Sequence, residues 1–304
     1  MKYAVGVDLG GTGIKIALFT AEGEIVKSSE IKTRVEDGGK HILPDIANEI
    51  RSLLAEAGLS SEQILGVGVG VPGPVVDGRT VLSCVNLGWG ETDVASYIEG
   101  ELGLNCKIGN DANVAALGEA WKGASRDTHS SVMITIGTGI GGGVIIGGEI
   151  VTGFLGGGGE IGHAPIHPEV EGRVCGCGKV NCLELFASAP NVAANYLAVT
   201  GKEMSCEEIF NAAKAGEEAA SKVVDDMQQL LGKACAFIGC VVNPEVFVIG
   251  GGVSQAGTFL TGKIQEYYDH YIFPSIKGAR IILAELGNNA GVYGAAKLAL
   301  DEWS

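Results

Sequence analysis

Three thiols fall within eight residues, Cys175-Gly-Cys177-Gly-Lys-Val-Asn-Cys182, and Glu184 follows two positions later. His163 and His167 lie a short way upstream. Three cysteines and one histidine make the four-coordinate donor set typical of structural Zn²⁺. Gly176 and Gly178 allow the turns such a knuckle needs, and either His163 or His167 supplies the imidazole. A redox pair would call for CxxC beside a thioredoxin-like pattern, and packing alone does not account for glycines between the thiols. A metal that fixes this loop also fixes Glu160, His163 and Glu184. Carboxylates beside an imidazole suit the hydroxyls of a sugar, which need acceptors as well as donors.

Two glycine loops carry a second chemistry. Asp8-Leu-Gly10-Gly11-Thr12-Gly13-Ile-Lys15 combines glycines, a hydroxyl and a carboxylate in one strand-to-strand turn, and Gly137-Thr138-Gly139-Ile-Gly141 repeats the design without the carboxylate. Glycine lets backbone N–H groups approach phosphate oxygens, and threonine adds a hydroxyl donor. Asp8 suits Mg²⁺, a hard cation that takes oxygen ligands. With Gly250-Gly251-Gly252, these loops read as a nucleotide site. Neither is a Walker A sequence, and a Rossmann loop would open a helix where Ile14–Phe19 reads as a strand.

The third candidate is an acid after a short strand, Asn105–Ile108, in Gly109-Asn110-Asp111-Ala112-Asn113. Asn110 or Asp111 caps the helix that follows. Two adjacent polar groups at a strand's C-terminal end also sit where ligands bind in open α/β sheets. In phosphoryl transfer, an aspartate there orients an acceptor hydroxyl and takes its proton, a contribution of ~10²–10⁴ in rate. Asp111 is the expected base, kept ionised by the helix N-terminus.

The elements that position these groups follow from periodicity. Tyr3–Val7, Ile14–Phe19 and Ile25–Thr33 read as strands joined by a glycine loop and a Glu22-Gly23 turn. A helical stripe covers His41–Ala57 and stops at Gly58, and Ile64–Val71 alternates valine with glycine as a strand closely approached by other backbone. Residues 133–151 echo 3–26, and Glu245–Ser254 is a shorter echo that ends in a helix-start serine. Glu217–Val242 forms a long amphipathic helix, with Cys235 and Cys240 as packing residues, and Gly291–Trp303 a final helix. Repeated strand–glycine–strand units separated by helices imply an α/β protein of two similar lobes with a ligand site in the cleft between them.

Composition sets the outer bounds. The 304 residues suffice for two cores, and 46% apolar with 19% charged residues marks a folded globular chain. A net charge of −15 argues against a nucleic-acid partner. No stretch approaches the ~18 apolar residues of a membrane span, and the N-terminal run is broken by Asp8. The expected compartment is the cytoplasm, where clustered cysteines are metal ligands more often than disulfides.

These residues resemble the ROK family of sugar kinases and repressors over nearly the whole chain, its bacterial glucokinases in particular. VGVDLGGTGIK resembles the family's first phosphate loop, NLGW (86–89) its sugar-side loop and GNDAN (109–113) its catalytic segment. ITIGTGIGGGVIIGGEIVTGFLGGGGEIGH (134–163) resembles the family signature, and CGCGKVNCLE (175–184) its zinc knuckle. The resemblance implies the two-lobed hexokinase/actin-like (ribonuclease H-like) fold. It implies ATP- and Mg²⁺-dependent phosphorylation of a hexose at the 6-hydroxyl, with glucose first and mannose, allose, fructose or N-acetylmannosamine as alternatives, and polyphosphate as an alternative donor. Asp111 becomes the base. Asn86, Asn110, Glu160, His163 and Glu184 become sugar contacts, with His163 also a zinc ligand. The lobes would span residues 1–114 with 290–304, and 115–289. A homodimer and a place in glycolysis are implied as well. A ROK repressor would need a helix-turn-helix module ahead of a strand that here starts at Tyr3. Where the family has glycine, this chain has Asn181, a residue tolerant of left-handed backbone.

Overall fold

The computed structural model describes residues 2–167 and 173–304. The chain divides into two compact units, Met1–Asp127 with Gly143–Gly159 and Asn288–Ser304, and Thr128–Gly142 with Glu160–Gly287.

The first unit begins with β1 (Tyr3–Leu9), β2 (Gly13–Thr20) and β3 (Ile25–Lys32), followed by α1 (Ile42–Ala57) and β4 (Ile64–Val71). Short strands β5 (Val75–Val76), β6 (Thr80–Val81) and β7 (Thr92–Asp93) form a small antiparallel sheet that no sequence period announces. Then come α2 (Val94–Leu102), β8 (Cys106–Asn110) and α3 (Asp111–Lys122). The main sheet has the order β3-β2-β1-β4-β8, with β1, β4 and β8 parallel. One face buries Val5, Val7, Val67 and Val69 against Ile42, Ile46 and Ile50 of α1 and Ile98 of α2. Each such side chain contributes ~1.5–3 kcal/mol on burial. Gly58 ends α1 in a left-handed cap, φ 67°, as its position in the stripe predicts.

The segment 128–287 runs through β9 (Ser130–Ile136), β10 (Ile140–Ile146) and β11 (Glu149–Ile150). It continues with α4 (Glu184–Ala187), α5 (Ala189–Thr200), α6 (Cys206–Lys214), α7 (Glu218–Val242), β12 (Val246–Gly250), α8 (Thr258–Tyr271) and β13 (Arg280–Leu283). Its sheet has the order β11-β10-β9-β12-β13, with β9, β12 and β13 parallel. Strand order therefore repeats that of the first sheet, as the sequence echo predicts. The long helix α7 buries Val223, Val224, Met227, Leu231 and Cys235, but its last turns leave Phe237, Cys240 and Val241 exposed. Cys240 is thus no packing residue. Ser254 starts no α-helix either: it lies in a 3₁₀ turn, Gly252–Ala256, and α8 opens at Thr258.

The terminal helix α9 (Ala290–Trp303) lies on the other face of the first sheet. This explains the valine–glycine alternation of β4: the valines face α1, while a Cβ on Gly68 would collide with the Ala295 carbonyl. Gly294 meets the backbone of α3 just as closely, at the Val114 carbonyl. That approach ties α3 to the first unit, past the boundary near residue 114 drawn from the sequence.

Candidate functional site

Each unit carries its own set of candidate residues. In the first, parallel strands β1, β4 and β8 bring their C-terminal ends to one edge. Asp8 pairs in register with Gly70, Gly70 with Gly109, and Val71 with Asn110. Asp8 and the Asn110-Asp111 corner therefore share that edge, with Gly70 of β4 between Asp8 and Gly109. Burial pushes the Asp8 carboxyl up from 3.8 to about 6; the negative charge of Asp111 adds to the rise and Lys15 opposes it. Lys15 stands opposite Asp8 across the β1–β2 hairpin and donates from Nζ to the Asn288 carbonyl at 2.7 Å. The intervening loop is tied by Gly10 N donating to the Gly13 carbonyl at 3.0 Å. Thr33 holds it from the end of β3, with Oγ1 donating to the Gly10 carbonyl at 2.7 Å and N to the Thr12 carbonyl at 3.1 Å. Gly11 and Thr12 are exposed at its tip. The part played by Thr33 had no signal in the local sequence.

Of the two capping candidates, Asn110 is the cap. Its Oδ1 accepts from the N–H groups of Ala112 and Asn113 at 3.0 and 3.2 Å, and its Nδ2 donates to the Gly73 carbonyl at 3.1 Å. Both ends of this amide are engaged in the fold. Asp111 is the first residue of α3, with Oδ1 accepting from Ala112 N at 2.8 Å. A carboxylate at a helix N-terminus is favoured in its ionised form. Asn86 is exposed on a 3₁₀ turn, Val85–Leu87, between the bridged residues Cys84 and Trp89. Burial raises the Cys84 thiol, and Asp111 adds a smaller push in the same direction, so that turn stands within the field of Asp111.

In the second unit, β9 runs into Gly137-Thr138-Gly139 and returns as β10. Gly137 N donates to the Gly139 carbonyl at 2.9 Å, and Ala189 N to the Gly137 carbonyl at 2.9 Å. Gly251, at φ 80°, presses on the backbone of Ile136, the residue before this loop, so the Gly250–Gly252 segment lies beside it. At the loop's exit, Ile140 N donates to Glu184 Oε2 at 2.9 Å. A Cβ on Gly139 would collide with that oxygen. The other oxygen, Oε1, lies 3.7 Å from Cys175 Sγ.

His163, Cys175, Cys177 and Cys182 bring one ligand atom each to within 4.8 Å of one another. The Cys177 and Cys182 sulfurs are 3.5 Å apart, and Cys175 Sγ is 3.6 Å from His163 Nδ1. A tetrahedral ion with bonds of ~2.0–2.3 Å has ligand–ligand edges of roughly 3.3–3.8 Å, so the donor set fits a divalent cation that favours nitrogen and sulfur. His163 Nε2 lies 3.9 Å from Glu160 Oε2, beyond hydrogen-bond distance. His167 instead stacks on Phe186, ring centroids 4.0 Å apart. Asn181 is absent from the positive-φ residues, which include Gly178 at 85°, so the knuckle makes no use of left-handed tolerance there.

Among the described residues, no helix is long and apolar enough to cross a membrane. The model of the ROK family matches residues 4–302. The chain is 40% identical to the glucokinase of Halalkalibacterium halodurans, over 98% of this chain and 94% of that one. A crystal structure of the ROK hexokinase from Thermus thermophilus superposes with a TM-score of 0.86 at 30% identity, covering 99% of each chain. The ROK family glucokinase from Streptomyces griseus, solved with glucose and AMPPNP, gives 0.75 at 30% identity over 98% of this chain and 99% of that one.

Proposed function

The chain belongs to the ROK family, and from that premise we propose that it transfers the γ-phosphoryl group of ATP to the 6-hydroxyl of glucose. The observation that carries the reading is the pairing of this family membership with an aspartate at the first turn of α3. Asp111 shares a strand edge with Asp8 and the first glycine loop.

Phosphoryl transfer leaves the protein little covalent work beyond holding reactants in line and balancing charge. Asp111 accepts the proton of the sugar hydroxyl as that oxygen bonds to phosphorus. The other product is ADP. Asn86, Asn110, Glu160, His163 and Glu184 are proposed to face the sugar, Asn110 chiefly by fixing the corner that carries Asp111. Gly10–Gly13, Lys15, Gly137–Gly139 and Gly141 offer amides, hydroxyls and one ammonium to the phosphates, with adenosine near Gly250–Ser254, the glycines Gly250, Gly251 and Gly252 first. When bound, Mg²⁺ neutralises phosphate charge; Asp8 would hold it, and its hard carboxylate oxygens suit that ion. Zn²⁺ would be held by His163, Cys175, Cys177 and Cys182 in a structural role. The reading also carries forward a cytoplasmic, glycolytic homodimer.

The test is a coupled ADP-release assay across glucose, mannose, allose, fructose and N-acetylmannosamine, with Asp111→Asn as control. Glucose should give the highest kcat/KM, and the substitution should cost at least ~10²-fold. Full turnover in Asp111→Asn removes the proposed base, and a different best sugar reassigns the substrate.

A further inference from the structure

The thiol cluster and the second glycine loop are joined at a single residue, Ile140. Its N–H is held by Glu184 Oε2 at 2.9 Å, and its carbonyl is pressed by Gly162, where any Cβ would collide. Both neighbours belong to the cluster's own segments: Gly162 precedes the ligand His163, and Glu184 follows the ligand Cys182 by two positions. The segments are also stitched to each other, since Leu183 N donates to the Ala164 carbonyl at 2.9 Å and Pro165 bridges to Cys182. Glu184 is anchored in turn, because its own carbonyl accepts from Asn191 Nδ2 at 2.9 Å and its Oε1 faces Cys175. The loop's entry hangs on Ala189 N, at the start of the next helix. The segment that carries the thiols is therefore the backing against which residues 137–140 are shaped.

We infer that Glu184 is a positioning residue for the nucleotide, and that filling the His163–Cys175–Cys177–Cys182 cluster with a divalent cation tightens ATP binding through it. This goes beyond a sugar contact and rests on the reading of Gly137–Gly141 as a phosphate loop. Without an ion, the four donors lose their common centre and only the backbone ties and packing of the two segments remain, so Cys175 and the turn after Cys182 loosen. The carboxylate then no longer fixes the Ile140 amide, and the loop's remaining N–H groups lose their shared direction. One lost charge-assisted hydrogen bond at such a point is worth about tenfold in affinity.

The experiment measures the dissociation constant of AMPPNP by calorimetry with sugar omitted, so that a sugar contact of Glu184 has no influence. Full-length protein loaded with Zn²⁺ is compared with chelator-stripped protein, Glu184→Ala, Glu184→Gln and Gly139→Ala. Hydrogen exchange is followed over residues 133–145. Stripping and Glu184→Ala should each weaken AMPPNP about tenfold and speed exchange in the loop. Stripping Glu184→Ala should cost nothing further, the non-additivity of two changes acting through one link. Glu184→Gln keeps an oxygen for Ile140 N and should bind near the wild-type level. Gly139→Ala displaces the carboxylate with all four ligands in place, and should reproduce the loss even if the stripped protein unfolds. Equal affinity of loaded protein, Glu184→Ala and Gly139→Ala overturns the inference and leaves the kinase reading standing. No AMPPNP binding by loaded wild type overturns the phosphate-loop reading and this inference with it.

Discussion

Ionised Asp8 is costly to the fold. Its carboxyl titrates at about 6 instead of 3.8, chiefly through burial and secondly through Asp111. The native state thus holds the proton more tightly than the unfolded chain does. Stability from this group is fully present below about 4 and is lost as pH rises through about 6. The whole effect is about 3 kcal/mol, at ~1.4 kcal/mol per tenfold change in proton affinity. Asp8→Asn removes the charge but leaves an amide to desolvate, a cost of about 1 kcal/mol. In the absence of nucleotide and Mg²⁺, the variant should be more stable than wild type by about 2 kcal/mol at pH 8.

Urea unfolding at pH 8 and pH 5 checks both sign and window. At pH 5 most native molecules are protonated at Asp8 while most unfolded ones are not, so the wild type recovers about 1.4 kcal/mol and the variant's advantage shrinks by that amount. Phosphoryl transfer should fall in the same variant, stability and activity moving in opposite directions as expected of a strained functional group. An advantage that stays constant between the two pH values, or a variant less stable than wild type at pH 8, refutes the placement of a buried, repelled carboxyl on that edge.

Three substitutions in the first unit test its framework by thermal or urea unfolding. Asn110→Ala deletes the α3 cap and the tie to Gly73, and should cost about 1–2 kcal/mol; because Asp111 loses its mounting, kcat should fall as well. Gly68→Val drives a side chain into the Ala295 carbonyl and should destabilise by about 3 kcal/mol or more. Gly100→Ala is the contrasting case: it lies in α2 with no atom within 4 Å of an added Cβ. It should stabilise by about 0.5–1 kcal/mol through helix propensity alone.

The legible parts of the fold were those with a period. The stripe of α1, the alternation of β4 and the apolar run of β1 each state their element, because burial on one face imposes the spacing. The sheet β5-β6-β7 is built from two-residue strands, too short for any period, and its pairing depends on turns whose partners are remote in sequence. The exposed end of α7 was misread for the converse reason: Phe237 and Val241 continue the stripe, and nothing local says that these two side chains are left exposed. At the candidate site, residue type and spacing picked out Asp8, Asp111 and the thiols. They could not separate Asn110 from Asp111 as cap, since both are good caps and only the path of the chain decides. They were equally blind to Ile140, whose importance lies in backbone groups that any residue type carries, and to Thr33, whose hydroxyl and N–H meet loop carbonyls some twenty residues away in sequence.

The repeated strand order makes one asymmetry informative. By register, Asp8 beside Gly70 in the first sheet corresponds to Thr135 beside Gly250 in the second. The first glycine loop thus has a carboxylate built into its own strand, whereas the second has a hydroxyl there. Its carboxylate comes from Glu184, reached only after the chain has passed through the thiol knuckle. A carboxylate on a strand end needs no further support, because the sheet's ladder fixes it; one that begins a four-residue helix has no ladder. Such a short helix cannot hold itself in place, so the second loop needs an outside anchor. The histidine and three cysteines stand where that anchor has to be.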